Sequence, residues 1–125
     1  MEIHYTSSIQ IILRDDGIVI TRPIAEMSET IELEHAIENI QKIHELKGDR
    51  RLLMIVMKDG KFSQESRQLF GNTNDLVDKV ALVATNLVSE VASNFFLGFN
   101  QPEIPIKLFK NEDDALKWLK SDDLD

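Results

Sequence analysis

Apolar and polar positions change rhythm several times along this chain. Residues 8–13 (SIQIIL) and 18–22 (IVITR) are β-branched runs separated by Arg14-Asp15-Asp16-Gly17. Asp-Gly between such runs is a strong hairpin signal, so the pattern predicts two antiparallel strands. Over residues 30–47 the spacing becomes threes and fours, with Leu33, Ala36, Ile37, Ile40, Ile43 and His44 on one stripe. That spacing predicts a helix. Glu29, Glu32 and Glu34 suit the positive end of its dipole, and Gly48 suits its stop. Residues 52–57 (LLMIVM) and 80–84 (VALVA) are continuous apolar runs. Such runs fit strands buried on both faces of a covered parallel sheet. Between them, residues 63–77 carry Leu69, Phe70, Thr73, Leu76 and Val77 at helical spacing, weakened by Gly71 and Asn72. A third helix is expected over 87–99 and a last strand over 104–109. Asn111-Glu112-Asp113-Asp114 has cap chemistry, and Ala115, Leu116, Trp118 and Leu119 make a short closing helix.

A hairpin, three helix–strand units and a final helix imply right-handed crossovers and a mainly parallel sheet. The expected fold is therefore α/β, with a mixed five-stranded sheet and four helices. No internal repeat or low-complexity linker interrupts it, so residues 1–125 read as a single domain.

Residues 94–109 (NFFLGFNQPEIPIKLF) hold four of the six Phe and two of the three Pro. Val88, Val91, Ala92, Phe95, Phe96 and Phe99 recur as one helical face, which makes a core stripe. Asn100 can end that helix in the left-handed conformation, and Pro102 prevents its continuation. Pro105 disfavours a central position for the first residues of the strand that follows. Leu97 falls off the stripe beside Gly98. These two residues are the candidate interface, and a homodimer through them is one expectation.

Composition narrows the function classes. At 125 residues, 42% hydrophobic, the chain can bury a sizeable core without disulfide or metal staples. It has no Cys, which excludes thiol nucleophiles and thiolate zinc sites. The start, Met-Glu-Ile-His-Tyr-Thr, does not read as a signal peptide, and no apolar stretch approaches a membrane span. A cytoplasmic location is expected. The net charge of −8 repels phosphate backbones, so nucleic acid is not an expected partner. Lys47, Arg50 and Arg51 form the densest basic spot, at a helix end where cations suit the dipole. Asp122, Asp123 and Asp125 read as a frayed acidic tail.

Two stretches carry a family resemblance. "NFFLGFNQPEIPIKLF" followed by "EDDALKWL" resembles the C-terminal helix–strand–helix of the STAS (SpoIIAA-like) superfamily, the fold of bacterial anti-sigma-factor antagonists. "DGKFSQESRQLF" resembles that family's strand end leading into a Ser-x-Glu-small-Arg helix start. In element order the resemblance spans nearly the whole chain, within a divergent branch. It implies a regulatory protein-interaction module with a protein partner. In the family, a serine at the start of the helix after the third strand is phosphorylated and switches partner binding. Ser63 occupies that place, with Ser66 one turn on. The usual Asp-Ser-Ser-Gly-like signature is replaced by Lys-Phe-Ser-Gln-Glu-Ser-Arg. A phosphate there would meet free helix N–H groups, with Lys58, Lys61 and Arg67 nearby. The plainer role for Ser63 is a helix cap.

The chain lacks Gly-x-Gly-x-x-Gly, P-loop and Gly-x-Ser-x-Gly motifs. Its three His, at 4, 35 and 44, lie beside no Ser at a strand–helix turn. Glu32/His35 and Glu34/Glu38 are helix-spaced pairs that read as solvated charges, with a stray metal on His35, Glu38 and Glu32 as the lesser reading. No cofactor, metal or catalytic residue is expected. Asp59, at the end of a buried strand, joins Ser63, Glu65, Ser66 and Arg67 as the candidate cluster, because open α/β sheets place ligands at strand carboxyl ends. Three readings stay open at this point. The first is an interaction module. The second is a small apolar-ligand or lipid binder of STAS/Sec14-like type, with the Phe-rich helix lining its pocket. The third is an enzyme.

Overall fold

The computed structural model describes residues 1–24, 33–56, 77–83 and 104–121. Six strands form one sheet in the unbroken order β1 (Glu2–Tyr5), β2 (Ile9–Leu13), β3 (Ile18–Pro23), β4 (Leu52–Val56), β5 (Lys79–Val83) and β6 (Ile106–Phe109). β1, β2 and β3 pair antiparallel, and β3 through β6 pair parallel. The helices among the described residues are α1 (Leu33–Leu46) and α2 (Glu112–Lys120). The α/β class and the mixed sheet match expectation. The strand count does not, because β1 adds a sixth strand where five were expected. β1 is a four-residue edge strand whose Ile and Tyr face outward, so it carries no burial signal of its own. Four helices were also expected, and the described residues hold two. The helices expected over 63–77 and 87–99 lie outside the described residues except for Val77.

Gly17 makes the β2–β3 turn. Its φ of +87° is the left-handed value that a three-residue hairpin loop needs, and Arg14 N–H closes the turn on Ile18 C=O at 3.0 Å. Gly48, at φ +58°, ends α1 in the same conformation. The two apolar runs become β4 and β5, parallel strands that pack side chains on both faces of the sheet. Leu53, Ile55, Val80 and Leu82 project to the α1 face, where Ile11, Leu13, Val19, Ala36 and Ile43 complete a core. Met54, Ala81 and Val83 project to the other face, against Ala115, Trp118 and Leu119 of α2.

α1 is rotated from its expected phase. Ile37 is 39% exposed, while Asn39 is buried at 5%. The cause lies in the β1–β2 turn. Asn39 Oδ1 accepts from Thr6 Oγ1 at 2.6 Å and from Ser8 Oγ at 3.0 Å, so a polar anchor occupies the inward position. His44 is exposed on the last turn. The basic spot is structural: Arg50 Nε donates to Arg14 C=O at 2.7 Å, and Arg51 pairs with Asp78 at 2.9 Å.

α2 lies along its sheet face from end to end. Nine residues at about 1.5 Å rise give ~13 Å, close to the ~16 Å of a five-residue strand. Asn111 caps it by accepting from Asp114 N–H at 2.8 Å, as its chemistry predicts. Its C-terminal end is held from below by β5. Lys79 is 5% exposed, and its Nζ donates to Trp118 C=O and Ser121 C=O, both at 2.9 Å. The same ammonium sits 4.6 Å from the Trp118 ring centroid. A cation below two terminal carbonyls is favoured by the dipole and by the ring face.

Candidate functional site at the carboxyl edge of the sheet

Because β3 to β6 are parallel, their carboxyl ends share one edge. Val56 ends β4 directly opposite Val83, which ends β5, and Val83 is opposite Phe109. In the sequence, residues 57–76 follow β4 and residues 84–103 follow β5. The sequence-derived candidates Asp59, Ser63, Glu65, Ser66 and Arg67 lie outside the described residues. So do Leu97 and Gly98.

Two polar groupings at this edge had no sequence signal. On the α2 face, Arg22 near the end of β3 meets Glu112 in the first turn of α2. The fork is bidentate, Nη1 to Oε2 at 2.5 Å and Nη2 to Oε1 at 2.6 Å. Glu112 holds the guanidinium pKa above its usual value, against a smaller opposing effect of burial. The partners are 90 residues apart, so no local pattern announces them. On the α1 face, Glu38 Oε1 accepts from Ser7 N–H at 2.8 Å and Ser7 Oγ at 2.6 Å. These bonds, led by the Ser7 hydroxyl, hold the Glu38 carboxyl below the usual range. Glu38 is therefore committed to the turn. His35 Nδ1 is buried without a hydrogen-bond partner. Among the described residues, no group of three His, Cys, Asp or Glu is arranged to hold a metal.

The opposite edge has a second ionic cluster. Asp16 accepts from Arg14 Nη2 at 2.7 Å and faces Lys120 Nζ at 3.1 Å. The Arg14 hydrogen bond is the main cause that pushes its carboxyl down from 3.8 to about 2. A depressed folded pKa stabilises above the unfolded value and is lost as pH falls through the folded one. Stability from Asp16 should thus be full above about pH 4 and vanish toward pH 2. Solvent screens this partly exposed group, so the loss should be about 1 kcal/mol or less. Asp16→Asn keeps the turn chemistry. Urea unfolding at pH 7 and near pH 2 should show the gap between variant and wild type closing in acid; a constant gap would refute the assignment.

The architecture defines an α/β protein built on a mixed six-stranded sheet. Residues 11–122 match the model of a domain of unknown function, DUF7793. The chain belongs to that family, and the match covers all of the described sheet except β1 and the first residues of β2. Comparison with curated proteins finds no match. Among the described residues, no helix is long and apolar enough to cross a membrane.

Proposed function

We propose that this chain is a non-enzymatic, regulatory protein-interaction module similar to the anti-sigma-factor antagonists. Its partner site is the segment after β4 that carries Asp59, Ser63, Glu65, Ser66 and Arg67. One observation favours interaction over small-ligand binding. Strand order from β3 to β6 never reverses. Doubly wound sheets open a ligand crevice where their strand order reverses, and β3–β6 contain no such switch point. β4 nevertheless ends at the carboxyl edge with a strand on either side, and Val56 is three residues before Asp59. A candidate cluster that follows the end of a central strand in the sequence suits a site read by a partner protein.

The test exploits charge. Ser63→Asp and Ser63→Asn both retain a capping acceptor, so their melting temperatures should match. Partner capture from host lysate should differ between them, because only the first mimics a phosphate. Native protein should also carry the mass of one phosphate in part of its population. Identical capture by both variants, together with no phosphate on native protein, would sink this reading.

A further inference from the structure

The outer edge of β1 is unlike the rest of the sheet. Met1, Ile3 and Tyr5 are 75%, 49% and 62% exposed. Ile3 is opposite Ile12 and Tyr5 opposite Gln10, so both project to one face. It is the α2 face, because Ile12 lies opposite Ile20, Ile20 opposite Met54 and Met54 opposite Ala81. α2 packs over β4, β5 and β6, and β1 lies beyond it.

The backbone at this edge is also defined. Thr6 N–H donates to Ile9 C=O at 2.9 Å, which makes Thr6 and Ile9 a hydrogen-bonded pair in the β1–β2 register. Such pairs alternate along an antiparallel ladder. His4 and Glu2 therefore bond to β2, while Ile3 and Tyr5 aim their N–H and C=O outward. The β2–β3 bonds agree: Ile24 N–H to Ser8 C=O and Arg14 N–H to Ile18 C=O assign the even residues of β2 to β3. The odd ones are left for β1.

The two sheet edges differ in protection. β6 follows Pro105 and carries exposed Lys107, two devices that discourage strand addition. β1 has neither Pro nor Lys, and it pairs with β2 without a bulge.

We propose that β1 pairs antiparallel with β1 of a second copy of this chain, about a twofold axis through Ile3, to give one sheet continuous across both copies. This register sets the outward amides of Ile3 against those of the second Ile3. Met1 faces Tyr5 on the α2 face. Glu2 faces His4 on the α1 face, once at each end, so a carboxylate meets an imidazole twice. A twofold through His4 would instead set two imidazoles against each other. The strand complements itself, which is the condition for an isologous contact and selects a second copy over an unrelated peptide. The proposal is independent of Ser63 and of its partner.

Sedimentation of the full chain over a concentration series tests it, with thermal unfolding confirming that each variant folds. Wild type should form a dimer, and Ile3→Lys should be monomeric. Glu2→Lys and His4→Glu should each weaken association by roughly 2- to 30-fold, the usual strength of cross-strand side-chain pairs counted at two symmetric positions. The double variant Glu2→Lys/His4→Glu sets an ammonium against a carboxylate at both positions and should return close to wild type. The Ile3 and Tyr5 amides should exchange slowly in the dimer and fast in Ile3→Lys. A monomeric wild type, or a dimer indifferent to Ile3→Lys, overturns the proposal. A double variant as weak as the single ones overturns the register. Dissociation by Leu97→Lys with Ile3→Lys silent would move the contact to the other surface.

Discussion

Trp118→Ala should destabilise the protein by about 3–5 kcal/mol, the usual cost of removing a buried indole. Trp118 is 6% exposed, packs 5.6 Å from the Phe109 ring centroid at a 44° tilt, and supplies the face on which Lys79 rests. Its removal opens a void between α2 and three strands. Trp118→Phe should cost less, about 1–2 kcal/mol, although the phenyl ring is smaller than the indole. The reason is specific: Trp118 Nε1 has no hydrogen-bond partner to lose. Urea unfolding followed by circular dichroism measures both, since the variants lack the chain's single Trp as a fluorophore. A loss under about 1 kcal/mol for the alanine variant would mean that α2 does not pack as described.

Lys79→Ala should be the next most damaging change, at about 2–4 kcal/mol. Each charge-assisted hydrogen bond contributes about 1.5–3 kcal/mol, and part of that is regained when water reaches the freed carbonyls. The Trp118 carbonyl also keeps the Ser121 N–H at 3.1 Å and the Ser121 hydroxyl at 2.7 Å. Lys79→Met preserves the stem and fills the space, so it separates packing from charge. It should retain part of the stability but not all of it. The Lys79 contribution should also be insensitive to added salt, because a buried ammonium is poorly screened. If Lys79→Met equals wild type in urea unfolding, the ammonium serves only as a spacer.

The hairpin, α1, the two buried strands and α2 were legible because local chemistry decides them. Asp16-Gly17 encodes a turn, Asn111 encodes a cap, and continuous apolar runs encode strands covered on both faces. What escaped is decided by residues far apart. β1 is a strand because β2 offers it a ladder, not because Glu-Ile-His-Tyr has a pattern. The phase of α1 is set by Thr6 and Ser8, which draw Asn39 inward in place of Ile37. Lys79 and Arg22 would ordinarily read as solvated charges, yet each ties a strand to one end of α2. The candidate cluster from Asp59 to Arg67 rests on local chemistry and on where β4 ends, and its residues lie outside those described.

The position of α2 has a consequence for synthesis. Chains emerge N-terminal end first. Ile18, Ile20, Met54, Ala81 and Val83 are therefore all made before the helix that covers them. Until α2 emerges, this apolar face lacks Ala115, Trp118 and Leu119, and the Arg22 and Lys79 side chains lack their α2 partners. A nascent chain should consequently attract hydrophobic-surface chaperones up to residue 111 and lose them once residues 112–121 are free, because α2 docks at both of its ends together.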